Sequence, residues 1–153
     1  MLPTTEPGID LFLHAFETCT LPKSEWTHAA HIFTGACYVH THGLDLAIDT
    51  MRTNVRRYNV SVGGLNTDTS GYHETITLAW LKLIHRLLKA SQPIARAPFA
   101  AHAVAHYVPQ RDIFSRHYSF DLPTNTPSRL AWIEPDLEPL DESQTLDESQ
   151  TLN

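Results

Sequence analysis

From residue 9 to residue 107 apolar side chains recur at intervals of three and four, in blocks closed off by proline, glycine or short polar runs. That spacing puts the apolar side chains on one face of a helix. Ile9–Cys19 reads as a short amphipathic helix carrying Leu11, Phe12, Ala15, Phe16 and Cys19 on one side. A second helix is predicted over Lys23–Thr41, started by Pro22, which cannot continue a preceding helix but suits a first turn. A third covers Leu44 to about Val62 and ends at Gly63-Gly64, and a fourth, the most strongly periodic, covers Tyr72–Ala90. Shorter pieces follow over Ala97–Tyr107, Gln110–His117 and Pro127–Trp132. The pattern predicts an all-α protein, a compact bundle of about four main helices plus shorter C-terminal helices. Residues 1–139 form its single domain. Leu140–Asn153 repeats L-D-E-S-Q-T twice before L-N, and a segment this acidic and poor in apolar residues is expected to be disordered.

Charge changes the picture only after the tail is set aside. The net charge is -6, but seven of the 17 acids lie beyond residue 133, which leaves 10 acids against 11 lysines and arginines in the body. A near-neutral body offers no basic face for nucleic acid. No apolar run approaches the length of a membrane span, and the N-terminus has neither the basic start nor the apolar stretch of a signal peptide. Cys19 and Cys37 sit inside helical patterns with no metal or disulfide spacing, as reduced core thiols of a cytoplasmic protein would.

Histidine is the unusual residue, with 10 in the chain. At 100° per residue the fourth helix carries Ile76, Trp80, Leu83, Ile84 and Leu87 in one apolar stripe, and His73 falls at its centre. Burial and the positive end of a helix keep an inward imidazole neutral, the form that binds metals or accepts protons. Taken alone, a single inward histidine more often just hydrogen-bonds a carbonyl or a tyrosine. On the second helix His28 and His31 stand one turn apart at the edges of the face defined by Ala29, Ile32, Phe33 and Ala36, a spacing that lets one helix give one ion two ligands. Glu25 precedes His28 by three residues, a Glu-x-x-His pair of the kind found in carboxylate-bridged metal bundles, although a di-iron site wants two such pairs. Glu74 suits either a helix cap or a site residue. His102 and His106 have ligand spacing but lack the glutamate of H-E-x-x-H, and are expected on a partly exposed face. No P-loop, G-x-G-x-x-G, G-x-S-x-G or cysteine zinc motif occurs.

W-T-H-A-A-H at Trp26–His31, G-Y-H-E-T-I-T at Gly71–Thr77 and P-D-L-x-P-L at Pro135–Leu140, with R-R-Y-N at Arg56–Asn59 and H-Y-S at His117–Ser119, carry a resemblance. Over most of residues 20–140 the chain resembles a family of small uncharacterised bacterial proteins. The resemblance implies a shared helical fold and important histidines, and adds Tyr118, Ser119, Arg129 and the P-D-L segment either as pocket walls or as a C-terminal wrap.

Three functions then stand open. In the first, His28, His31 and His73 bind one divalent ion, Zn or Fe(II), with Glu74 or Glu25 as fourth ligand or general base of a hydrolase or oxygenase acting on a small molecule. In the second, the pocket is metal-free; its histidines hydrogen-bond a small polar ligand or shuttle a proton, Arg56, Arg57 or Arg129 offsets an anionic group, and Asn59 and Tyr118 are further contacts. In the third, the histidines form a buried polar network that sets helix register.

Overall fold

The computed structural model describes residues 1–141, and they are all-α, with six α-helices and no strand among them. The helices are α1 (Glu6–Glu17), α2 (His28–His42), α3 (Leu44–Ser61), α4 (Glu74–Ala90), α5 (Arg96–Tyr107) and α6 (Thr126–Leu130). Three short 3₁₀ turns stand at Lys23–Glu25, Ile113–Arg116 and Leu122–Thr124. Of the expected tail, residues 142–153 lie outside the described ones, whereas Leu140 is buried in the core. No helix among the described residues is long and apolar enough to cross a membrane.

Helix α2 is the axis of the bundle. Its residues Ile32 to Val39 are all buried, so over these two turns it is covered around its whole circumference, with only Thr34 and the Tyr38 hydroxyl polar, and it packs against α3, α4 and α5. A helix apolar on every side has to sit inside. Gly35 lets it approach α4 closely, because a Cβ there would stand 3.1 Å from Leu81 Cδ2 and 3.3 Å from Ile84 Cδ1. Helix α1 lies over α3 and α5, tied down by Arg96 at the start of α5, which bonds Glu6 (2.7 Å) and Asp10 (2.7 Å). Cys37 is a free core thiol, pushed up to about 12 by burial, and Cys19 is free and half-buried.

Two helix starts differ from the expected ones, and both differences move a histidine. The predicted helix over Lys23–Thr41 is two elements. Lys23–Glu25 is a 3₁₀ turn, and Thr27 then caps α2 by accepting the Ala30 N–H on its hydroxyl at 3.2 Å. Glu25 and His28 therefore do not share a helix, and the Glu-x-x-His geometry is not formed. Helix α4 likewise begins at Glu74 rather than Tyr72. His73 is its N-cap, in extended backbone (φ -129, ψ 111), not a member of its apolar stripe. The rest of the stripe holds: Leu83 and Ile84 are buried, and Ile76, Trp80 and Leu87 pack half-buried against the core.

The C-terminal stretch wraps α4. The Thr75 hydroxyl donates to the Ala131 carbonyl (2.9 Å) and accepts the Ile133 N–H (3.1 Å). Tyr118 donates to the Ile133 carbonyl (2.7 Å), and the His117 ring to the Glu138 carbonyl (2.7 Å). The Pro135–Leu140 motif is thus part of a strap that closes over the bundle.

Candidate functional site

A cleft of about 840 Å³ opens between the start of α2, the second half of α3, the loop 63–72 and the first half of α4. Its wall includes His28, His31 and His73, so the three histidines singled out by sequence do gather around one space. Most of the remaining wall is apolar or aromatic: Trp26, Met51, Val55, Val62, Leu65, Tyr72, Ile76, Trp80 and Leu81. Asn59 and Thr77 add neutral polar groups, and among the described residues Lys23 is the one formally charged residue of the lining.

The histidines hold different posts. His73 is 7% exposed, and both of its ring nitrogens are engaged. Nδ1 accepts the Ile76 N–H at 3.1 Å, satisfying one of the orphan donors of the α4 start, and Nε2–H donates to the Leu122 carbonyl at 2.8 Å. These partners fix the tautomer and leave neither nitrogen with a lone pair to spare. Burial lowers its pKa, the Leu122 carbonyl opposing in part.

His31 is free at one end. Its Nδ1–H donates to the Thr27 carbonyl one turn back, at 2.8 Å, so the basic nitrogen of the neutral ring is Nε2. One face of the ring lies against Trp26, with centroids 4.0 Å apart, and Trp26 in turn stacks on Phe16 at 4.2 Å. Carbonyl and indole together hold the imidazole in one orientation. Burial pushes its pKa below the ordinary histidine range, Thr27 pulling up and His28 pushing down. His28 is exposed, sits at 5.5 Å from the Trp80 ring, and is also lowered, by burial and by the charge of Arg111. At neutral pH the cleft edge therefore carries uncharged imidazoles able to accept a proton or a hydrogen bond.

The loop that forms the third wall is organised by Asn66. Its Oδ1 accepts the Tyr72 N–H (3.0 Å) and an Asn59 Nδ2–H (3.1 Å), while its Nδ2 donates to the Arg56 carbonyl (2.9 Å). Gly71 has φ +77, and a Cβ there would stand 2.3 Å from the Leu65 carbonyl oxygen. No residue with a side chain fits at that point.

The other expected site residues lie elsewhere. Glu74 is 7% exposed and is taken by Arg52, whose Nη2 reaches Oε1 at 2.7 Å and whose Nε reaches both oxygens at 3.0 and 3.1 Å. The Tyr72 hydroxyl adds a bond at 3.3 Å. Glu25 is exposed on its 3₁₀ turn, outside the lining. Arg57 bonds the Glu17 carbonyl (2.6 Å) and Asn54 (2.7 Å), tying α1 to α3. Arg129 holds the Gly71 carbonyl (2.7 Å) and the Pro123 carbonyl (3.1 Å), and Tyr118 belongs to the C-terminal strap. Of the expected ligand contacts only Asn59 lines the cleft. His102 and His106 are exposed on α5, as expected.

Sequence reasoning passed over Trp26, Met51, Val55 and Trp80 as cleft residues, since each also fits a helix's buried face. Among the described residues no three His, Cys, Asp or Glu side chains are grouped to hold a metal. A three-histidine ion site would require His73 to give up its cap and its Leu122 bond. A scan against protein-family models, a search of curated proteins and a search of solved structures each found no match for this chain.

Proposed function

We propose that the protein binds a small, largely apolar molecule in this cleft without a metal, and that His31 is the polar anchor that accepts a hydrogen bond from it. The cleft carries this reading. Its volume of about 840 Å³ lies within the range of about 300–1,000 Å³ common for small-molecule sites. An apolar wall with a few convergent polar groups is the usual composition of such sites. His31 fits the anchoring part because its tautomer and its ring plane are both set by the protein. A preset acceptor loses little freedom on binding.

Calorimetric titration with 2-naphthol and 2-methoxynaphthalene tests this, because the two share an apolar body and differ in the hydroxyl donor. The naphthol should bind saturably and about tenfold more tightly, the worth of one hydrogen bond. The preference should vanish in His31→Phe and persist in EDTA. Equal affinities in the wild type would remove His31 from its role, and loss of all binding in EDTA would return the site to a metal.

A further inference from the structure

The polar groups of the cleft are unevenly spread. At the end formed by the 3₁₀ turn and the start of α2 stand Lys23, Trp26 and His28, and all three offer donors. The Trp26 indole N–H is buried and has no partner among the described residues, an arrangement that costs stability unless something else accepts it. Thr27 satisfies the Ala30 and His31 amides, which leaves the His28 and Ala29 amides of the first turn, and the positive end of a 15-residue helix, at the same place.

Among the described residues no carboxylate lines the cleft. The two acids nearest to the wall in sequence are both kept out of it: Glu25 is exposed and Glu74 is paired with Arg52. Arg111, outside the lining, adds its positive charge at His28. A donor-rich, cationic end that opens onto an apolar trough is complementary to a molecule with an anionic acceptor at one end and a hydrocarbon body at the other.

Building on the cleft as a ligand site, we infer that its ligand is an amphipathic monocarboxylate whose apolar body also carries the hydroxyl that donates to His31. The anion is held at the Lys23–Trp26–His28 end, and the apolar body lies along Met51, Val55, Ile76 and Trp80.

The test is calorimetry on the full chain with two bodies, naphthalene and a ten-carbon alkyl chain, each carrying a carboxylate, a primary amide or a primary amine. Both carboxylates should bind at least tenfold more tightly than their amides, with the amines weakest. The preference should shrink several-fold in 0.5 M NaCl, in Lys23→Gln and in Trp26→Phe, which keeps an aromatic ring between Phe16 and His31 but removes the N–H. Amides or amines that bind as tightly as the acids would overturn the anion assignment and leave the cleft as a ligand site. A preference for the acid undiminished in both variants would also overturn it. Binding of none of the six compounds to protein folded by circular dichroism would overturn this inference and the ligand site together.

Discussion

Replacing His73 by alanine should destabilise the protein by about 2–4 kcal/mol, the sum of a lost helix cap and a buried carbonyl left without its donor. The imidazole does two jobs at once, accepting from Ile76 at the start of α4 and donating to Leu122 in the C-terminal strap. Loss of the ring therefore frees both elements. Asparagine, a good N-cap, should recover about 1 kcal/mol through the Ile76 bond alone. Phenylalanine or leucine, which can make neither bond, should not. Denaturant midpoints at unchanged m-value compare the four variants with the wild type. A loss below about 0.5 kcal/mol in the alanine variant would mean that neither bond contributes to the fold. The same ring gives stability a pH dependence. Its folded pKa lies below the ordinary value of 6.5, so as pH falls through that value the unfolded chain takes up a proton that the folded ring resists. Stability should accordingly decline from about pH 7 toward pH 5, and His73→Asn should flatten the slope in part, since His28, His31 and His85 are lowered in the same direction.

Arg52→Met should cost about 1–3 kcal/mol. The Glu74 carboxylate has three contacts from Arg52 and one from Tyr72, and the substitution leaves a largely buried anion with the tyrosine hydroxyl alone. Removing one member of a fully buried pair costs about 3–5 kcal/mol, but the Arg52 side chain is 36% exposed and water can take part of its place. Joining Arg52→Met to Glu74→Leu should restore much of the loss, because the uncompensated charge goes with the pair. A double-mutant cycle by urea unfolding gives the coupling directly. A single-variant cost near zero, or a double variant worse than both singles added, would show that the pair does not link α3 to α4 energetically.

The helical blocks were legible because an apolar period of 3.6 survives in any helix with one wet face, as in α3 and α4. Helix boundaries were harder, and they decided the chemistry. Thr27 is a standard N-cap residue, but Ala30 rather than Glu or Gln stands three positions on, so no capping box marks the start of α2, and Pro22 offers an earlier one. His73 hides more completely. Its spacing from Ile76 and Trp80 continues the stripe of α4, histidine is not among the favoured caps, and its second partner, Leu122, lies 49 residues away. His28 and His31 reach one space through their spacing on α2, whereas His73 reaches it as the N-cap of α4 and not from the stripe of that helix. Which nitrogens stay available did not follow from spacing, because that depends on Thr27, Leu122 and Trp26 meeting them in the fold. Arg52 was equally invisible: a basic residue on an amphipathic helix looks solvated until Glu74, 22 residues further on, is packed against it.

Asn66 and Gly71 also have a kinetic consequence. The loop they organise is bonded to Arg56 and Asn59 on α3 and to Tyr72 ahead of α4, so its ordering is completed when the chain folds. A molecule entering the cleft meets a wall already in place. Association should then be a single bimolecular step whose observed rate rises linearly with concentration, without the plateau that a closing lid imposes.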